Sequence, residues 1–303
     1  MLNDTMMTYV ELRRATGYKF HEARILKSFV AFADARGDEV VRTATVLAWA
    51  ILASSPQQRR NRLLLVRRFA LMVNAEDSCH EAPPPDALGS AKFGRKAPHI
   101  YTADEITLLL QAAASLPPQG TIRPVMYATL FGLLAATGLR ISEALSLQYG
   151  DLTEDGLIIH KTKFNKSRLV PLHETTRRAL DVYLTVRKRH KKDDDSLFIL
   201  ASGKTPAYGA VEAVFLQLAR SVGLKEESGR RGPRIHDLRH TFAVHSLEQC
   251  GHDRDGVARH MVALSTYLGH MAVTSTYWYL EATPILLKQI AQAAETMHKG
   301  DVP

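Results

Sequence analysis

The chain has 303 residues, 46% hydrophobic and 23% charged, enough for two globular units. Its 39 Lys and Arg against 31 Asp and Glu leave a formal charge of +8, a balance that attracts polyanions and that counterion release from DNA rewards. No apolar run reaches the ~18–20 residues that cross a bilayer, and the start lacks a secretory signal pattern. Only two cysteines are present, Cys79 and Cys250, without metal-ligand spacing, which argues against a disulfide framework and fits a reducing cytoplasm.

Residues 1–82 read as a helical unit. Glu22 to Arg36 carries Ile25, Leu26, Phe29, Val30 and Ala33 at helical spacing, with Gly37 placed to stop it. Thr43 is placed to cap a second helix holding Val46, Leu47, Ala50 and Ile51. Pro56 opens a third, through Leu63, Leu64, Val66, Phe69 and Met72. Its polar face shows Arg59, Arg60, Arg62, Arg67 and Arg68. A lone basic helix is most simply a solvated face. In a chain that also carries phosphate chemistry, these five arginines point to DNA.

Residues 83–98 break the pattern. Pro83-Pro84-Pro85, Gly89, Gly94 and Pro98 exclude a continuous helix, and Lys92, Arg95 and Lys96 add positive charge. The stretch reads as a linker, extended at its proline end. The second unit, 99–303, opens on a capping box, Thr102-Ala103-Asp104-Glu105, before Ile106, Leu109 and Leu110. A long apolar helix follows Pro124 and ends at Gly138. Leu157 to His160 and Ser167 to Val170 read as short strands around the turn Phe164-Asn165-Lys166. Helices are then expected at Glu174 to His190, Tyr208 to Val222, Asp237 to Gln249 and Thr283 to Met297. The expected fold is mainly α with a small antiparallel sheet (α+β).

Five segments of this second unit offer the same chemistry. Gly138-Leu139-Arg140-Ile141-Ser142-Glu143 sets Arg140 at a helix start, where a planar guanidinium and outward N–H groups suit a phosphate. Glu143 lies on the same helical face, either as a partner that orients Arg140 or as a surface ion pair. In Lys161-Thr162-Lys163, and at Lys166 and Arg168 nearby, ammonium and guanidinium groups can grip phosphates, and a lysine on a turn can protonate a leaving oxygen. His236-Asp237-Leu238-Arg239-His240 places His236, Arg239 and His240 on one helix face. The spacing mimics a zinc protease, but the intervening acid is Asp, no third ligand is obviously spaced, and Arg239 would set a cation beside the metal. His236 and Arg239 therefore face a phosphate, and His240 supports them. Leu268-Gly269-His270 adds another histidine, and Tyr277-Trp278-Tyr279 offers a phenol nucleophile or a plain aromatic cluster. Together these groups can bind a phosphodiester, neutralise its transition state and attack it, without a metal or cofactor.

The order and context of these segments resemble the tyrosine recombinase (phage integrase) family over residues 99 to 298, and more loosely over the N-terminal unit, which looks like its core-binding domain. The resemblance carries the catalytic roles to Arg140, Lys163, His236, Arg239, His270 and Tyr279. Lys163 is chosen because the family has a lysine ahead of an Asn-Lys turn and a Leu-Val-Pro-Leu strand exit. Tyr279 is chosen because the family's nucleophile stands nine residues after the histidine of Leu-Gly-His. DNA-binding is expected at Arg59, Arg60, Arg62, Arg67, Arg68, Lys166 and Arg168.

The resemblance implies strand cleavage through a 3′-phosphotyrosyl bond and a Holliday junction. It also implies a homo-tetramer on double-stranded DNA with paired sites, with accessory proteins or related recombinases as further partners. A C-terminal helix over residues 283–297 would be exchanged between protomers. The long stretch from Arg239 to His270, with Gly251-His252-Asp253-Arg254-Asp255-Gly256 as the expected insertion, resembles members associated with transposable elements. Three rivals stay open: a DNA-binding regulator without recombination, a type IB topoisomerase-like relaxing enzyme, and a metal-dependent nuclease. Binding alone does not need Tyr279, the N-terminal unit and exchanged helix favour recombination, and no carboxylate cluster accompanies the motifs.

Overall fold

The computed structural model describes residues 2–17, 20–89, 97–160, 167–190, 195–226, 232–249 and 254–269. It divides into two compact units, residues 1–96 and 97–303.

The first unit is built from α1 (Leu2–Ala15), α2 (Ala23–Asp34), α3 (Thr43–Ile51) and α4 (Pro56–Glu76). Helix α1 was not anticipated, although Leu2, Met6, Tyr9 and Val10 give it a buried stripe at helical spacing. Gly37, at φ +75°, follows α2, and its N–H returns to the Asp34 carbonyl at 2.9 Å. Helix α4 starts as its sequence predicts, with Ser55 accepting the Gln58 N–H and Pro56 in the first turn. Its inward row is Leu63, Leu65, Val66, Phe69, Ala70 and Val73, so Leu64 is displaced from the core by Leu65. Phe29, Trp49 and Phe69 close the centre, with Trp49 edge-on to Phe29.

Thr43 does not cap α3. Arg42 occupies the cap position, Thr43 is the first helical residue, and its N–H is satisfied at 2.7 Å by the Glu81 carboxylate. A long-range acceptor has replaced the local one. Residues 81–89 accordingly lie against this unit: the Pro83 carbonyl accepts from Arg67, and Ala82 and Leu88 pack on the core.

In the second unit α5 (Ala103–Ala114) opens on the expected capping box, with Thr102 and Glu105 each accepting the other's N–H. Helix α6 (Ile122–Thr137) is buried on most of its circumference, which makes it the axis of the unit. It packs on α5, α8 (Glu174–Arg187) and α10 (Asp237–Glu248). Phe131 of α6 meets Phe215 of α9 (Tyr208–Ser221) edge to face at 5.5 Å; truncating such a ring costs about 3–5 kcal/mol. Strands β1 (Leu157–Ile159) and β2 (Arg168–Val170) pair antiparallel, with Leu157 opposite Val170.

A helix the sequence did not announce, α11 (Arg254–Leu268), begins inside the stretch expected as an insertion. Val257, Met261, Leu264 and Leu268 pack it against Val244 and Leu247 of α10. No helix among the described residues is long and apolar enough to cross a membrane.

Candidate active site

Helix α6 ends in a left-handed residue, Gly138, at φ +61°. A Cβ there would lie 2.6 Å from Cδ1 of Phe242 on α10, so only glycine lets the two helices approach this closely. Past that turn, Arg140 is extended and caps the five-residue helix α7 (Ile141–Leu145). The Glu143 carboxylate accepts the Arg140 N–H at 3.0 Å and its Nη1 at 2.8 Å. Glu143 is therefore an orienting partner, since little of its side chain is exposed, whereas about a third of Arg140 is open.

Arg168, expected at the DNA surface, is turned inward. Its Nη1 and Nη2 donate to the two oxygens of Glu143 at 3.1 and 2.9 Å, and only 12% of its side chain is exposed. Burial pushes the Glu143 carboxyl up, but the bonds from Arg168 and Arg140 hold it below its ordinary value.

Arg239 lies on the first turn of α10 and is 2% exposed. Its Nη1 donates to the Gly138 carbonyl and its Nη2 to the Leu268 carbonyl, each at 2.7 Å. One guanidinium thus ties the turn before Arg140 to the residues directly before His270. Asp237 fixes the start of the same helix by accepting from the Arg234 backbone and side chain. His236 stands at its N-cap and meets His240 edge to face, centroids 4.9 Å apart. Partial covering of its ring, then the Arg239 charge, holds His236 below the ordinary imidazole value, with Asp237 opposing. Burial and the neighbouring His236 push His240 down to about 4. Both rings are neutral at neutral pH, with one donor and one acceptor nitrogen each.

Arg140, Glu143, Arg168, His236 and Arg239 thus converge at the ends of α6, β2, α10 and α11. Lys163, Lys166, His270, Tyr277, Tyr279 and the helix expected over residues 283–297 lie outside the described residues. Tyr267 belongs to the same neighbourhood and had no signal in the sequence. It stacks on Phe242, and burial pushes its phenol up to about 12 despite Arg168 and Arg239 nearby, so it stays protonated. Among the described residues, no three His, Cys, Asp or Glu side chains gather as a metal would require.

In the first unit the α4 arginines are tied into the fold unevenly. Arg59 donates to the Ala53 carbonyl, Arg62 to the Trp49 carbonyl while lying over its ring, and Arg68 pairs with Glu22 at 3.6 Å. Arg67 donates to Pro83. Arg60 is half-buried. Between α2 and α4 runs a cleft of about 970 Å³ whose basic lining is Arg24, Arg62, Arg67 and Arg68. Arg24 was not among the residues expected to bind DNA.

The sequence model of the phage integrase family matches residues 100–284. The integrase/recombinase y4rB of Sinorhizobium fredii is 37% identical over 298 residues, 95% of each chain. The tyrosine recombinase XerD of Caulobacter vibrioides is 30% identical over 253 residues, covering 80% of this chain and 76% of that one. Among solved structures, a lambda integrase dimer bound to a core site aligns with a TM-score of 0.64 at 19% identity, covering 91% and 94% of the two chains. The Tn1549 transposon integrase in complex with transposon right-end DNA aligns at 0.65 and 18% identity, covering 96% and 99%. These structural likenesses speak to the fold.

Proposed function

The chain belongs to the phage integrase family, the tyrosine-type site-specific recombinases, and on that premise we propose how its own residues divide the work. The observation that carries the reading is the Arg239 fork, which joins the turn of Arg140 to the turn before His270.

Tyr279 attacks the scissile phosphate. Its phenol gives up its proton to solvent, its oxygen bonds to phosphorus, the bond to the 5′ oxygen breaks, and the products are a 3′-phosphotyrosyl bond and a 5′ hydroxyl. Lys163 gives the proton that the departing oxygen needs. Arg140 and Arg239 donate to the non-bridging oxygens. Both keep their charge at any working pH, and a preorganised cation acts most strongly where charge develops. His236 and His270 complete the cradle, His236 as a neutral imidazole with one N–H to give. The phosphotyrosyl bond retains the energy of the phosphodiester, so a 5′ hydroxyl from the partner duplex reverses the step. Paired exchanges in a tetramer on two DNA sites pass through a Holliday junction.

The basic cleft of the first unit, with Arg60 beside it, lies along the DNA backbone as a sequence-independent grip. The protein works where the chromosome is, in the cytoplasm.

The test is capture of the covalent adduct on DNA flanking the gene. Tyr279→Phe removes one oxygen, so DNA binding survives and the adduct disappears, while Tyr277→Phe still forms it. Adduct at the wild-type level with Tyr279→Phe overturns the assignment.

A further inference from the structure

Arg168 stands on β2, five residues after Lys163 in the chain. Its contacts reach two other parts of the site. The Glu143 oxygens are shared without remainder: Oε1 accepts from Arg140 Nη1 and Arg168 Nη1, Oε2 from the Arg140 backbone and Arg168 Nη2. Four hydrogen bonds fill the acceptor sites of a carboxylate. On its other side the guanidinium lies against Gly269, which sits at φ +67°; a Cβ there would be 2.8 Å from Arg168 Nη1. Gly269 directly precedes His270.

We infer that Arg168 is a positioning residue that couples β2 and the Gly269 turn to the Arg140 turn, the latter through Glu143, and does not contact DNA. The physical ground is rigidity. With Arg140 alone, the Glu143 carboxylate could rotate about its last torsion and carry the Arg140 guanidinium with it. The parallel fork of Arg168 fixes the plane of that carboxylate, and with it the direction in which the remaining Arg140 donors point. Glycine at 269 lets the fork approach the turn that ends α11, so that turn and the Arg140 guanidinium are referenced to one side chain. Lysine cannot replace it, because a compact ammonium lacks the planar fork that fixes the plane of the carboxylate.

The inference rests on the recombinase reading with Arg140 at the phosphate, and the experiment separates the two. A nicked duplex carrying the site identified by trapping wild-type adduct is cleaved in single turnover. Affinity is measured across a salt series on the same DNA. The proteins are wild type, Arg168→Met, Arg168→Lys, Arg140→Ala and the Arg140→Ala/Arg168→Met double variant, each checked for folding by its thermal transition.

Arg168→Met slows cleavage about 10–100-fold, the scale on which loss of an orienting partner acts, with an unchanged salt slope. Arg168→Lys, which keeps the charge and the fold, falls between the two. The double variant is no slower than Arg140→Ala alone. The acid side of the cleavage profile is the readout that a merely structural role would not move. Among the described residues Arg168 and Arg140 are the charged groups that hold Glu143 ionised; deprived of the fork yet still largely covered, it takes a proton at higher pH, so the acid limb of Arg168→Met moves upward. Glu143→Gln lacks that limb.

Wild-type cleavage by Arg168→Lys overturns the inference, as does wild-type cleavage by folded Arg168→Met. So does a fall in affinity with a salt slope reduced by about one, which marks a phosphate contact. Losses that multiply in the double variant also overturn it. If Arg140→Ala itself cleaves normally, the reading of Arg140 fails and this inference falls with it.

Discussion

The Arg239 guanidinium donates to the Gly138 carbonyl at 2.7 Å from a position only 2% exposed, bridging helices that are far apart in the chain. Its second nitrogen reaches Leu268 at the same distance. A buried cation needs polar partners, and here the Gly138 and Leu268 carbonyls receive two of its donors.

Arg239→Lys should therefore separate charge from geometry. The ammonium keeps the charge but cannot span both carbonyls. One buried acceptor is then left without a donor, at about 1–3 kcal/mol, and the thermal transition falls accordingly. Cleavage should fall by about 10²–10³-fold, the scale for losing a preorganised donor. A lysine variant that cleaves at the wild-type rate would show that charge alone suffices.

Gly138→Ala should destabilise the protein through two additive causes. The left-handed conformation costs an L-residue about 1–2 kcal/mol, and the new methyl group meets the Phe242 ring at 2.6 Å. Phe242→Leu in the same chain relieves the steric part alone, so the double variant is more stable than the sum of the singles predicts. Urea unfolding of the four proteins checks this. Strict additivity would mean that the ring moves away freely and does not require glycine.

What could be seen in the sequence follows from how local each interaction is. The start of α4 and the box at Thr102 and Glu105 are set by neighbours in the chain, and both were visible. The cap of α3 was misplaced because Glu81 supplies it from a distant part of the chain. Arg168 looked like a surface cation because nothing near it announces Glu143. Arg140 and Arg239 were legible as residue types suited to phosphate, but burial of the Arg239 fork against two carbonyls has no local signature. Helix α11 was missed because Gly256 and the charged residues at its start read as a loop.

The paired histidines predict a pH dependence of stability. His240 and His236 have folded pKa values below the ordinary 6.5, so the folded state takes up protons less readily than the unfolded one. Their contribution is intact above about pH 6.5 and shrinks as pH falls toward about 4, where His240 titrates in the fold. Glu143, lowered from 4.5, loses its contribution only as pH falls below that value, so the upper part of the decline belongs to the histidines. Melting temperatures followed from pH 8 to pH 4 should fall less steeply for His240→Gln than for wild type. Identical slopes would show that His240 is not held neutral.

The residues beyond Ala282 supply the last expectation. Ile285, Leu286, Ile290, Ala293 and Ala294 recur at helical spacing after every proposed catalytic residue has been passed. An apolar stripe needs a surface to cover it, and exchange of such a segment around a closed ring would make each active site depend on its neighbour. A chain ending at Ala282 should then still bind a single DNA site, with affinity close to wild type. On DNA with paired sites it should fail to assemble the larger complex and should lose recombination. Mass measurement of protein on paired-site DNA, with and without the deletion, distinguishes the outcomes. Normal assembly and recombination by the shortened chain would mean that the segment packs on its own protomer and couples nothing.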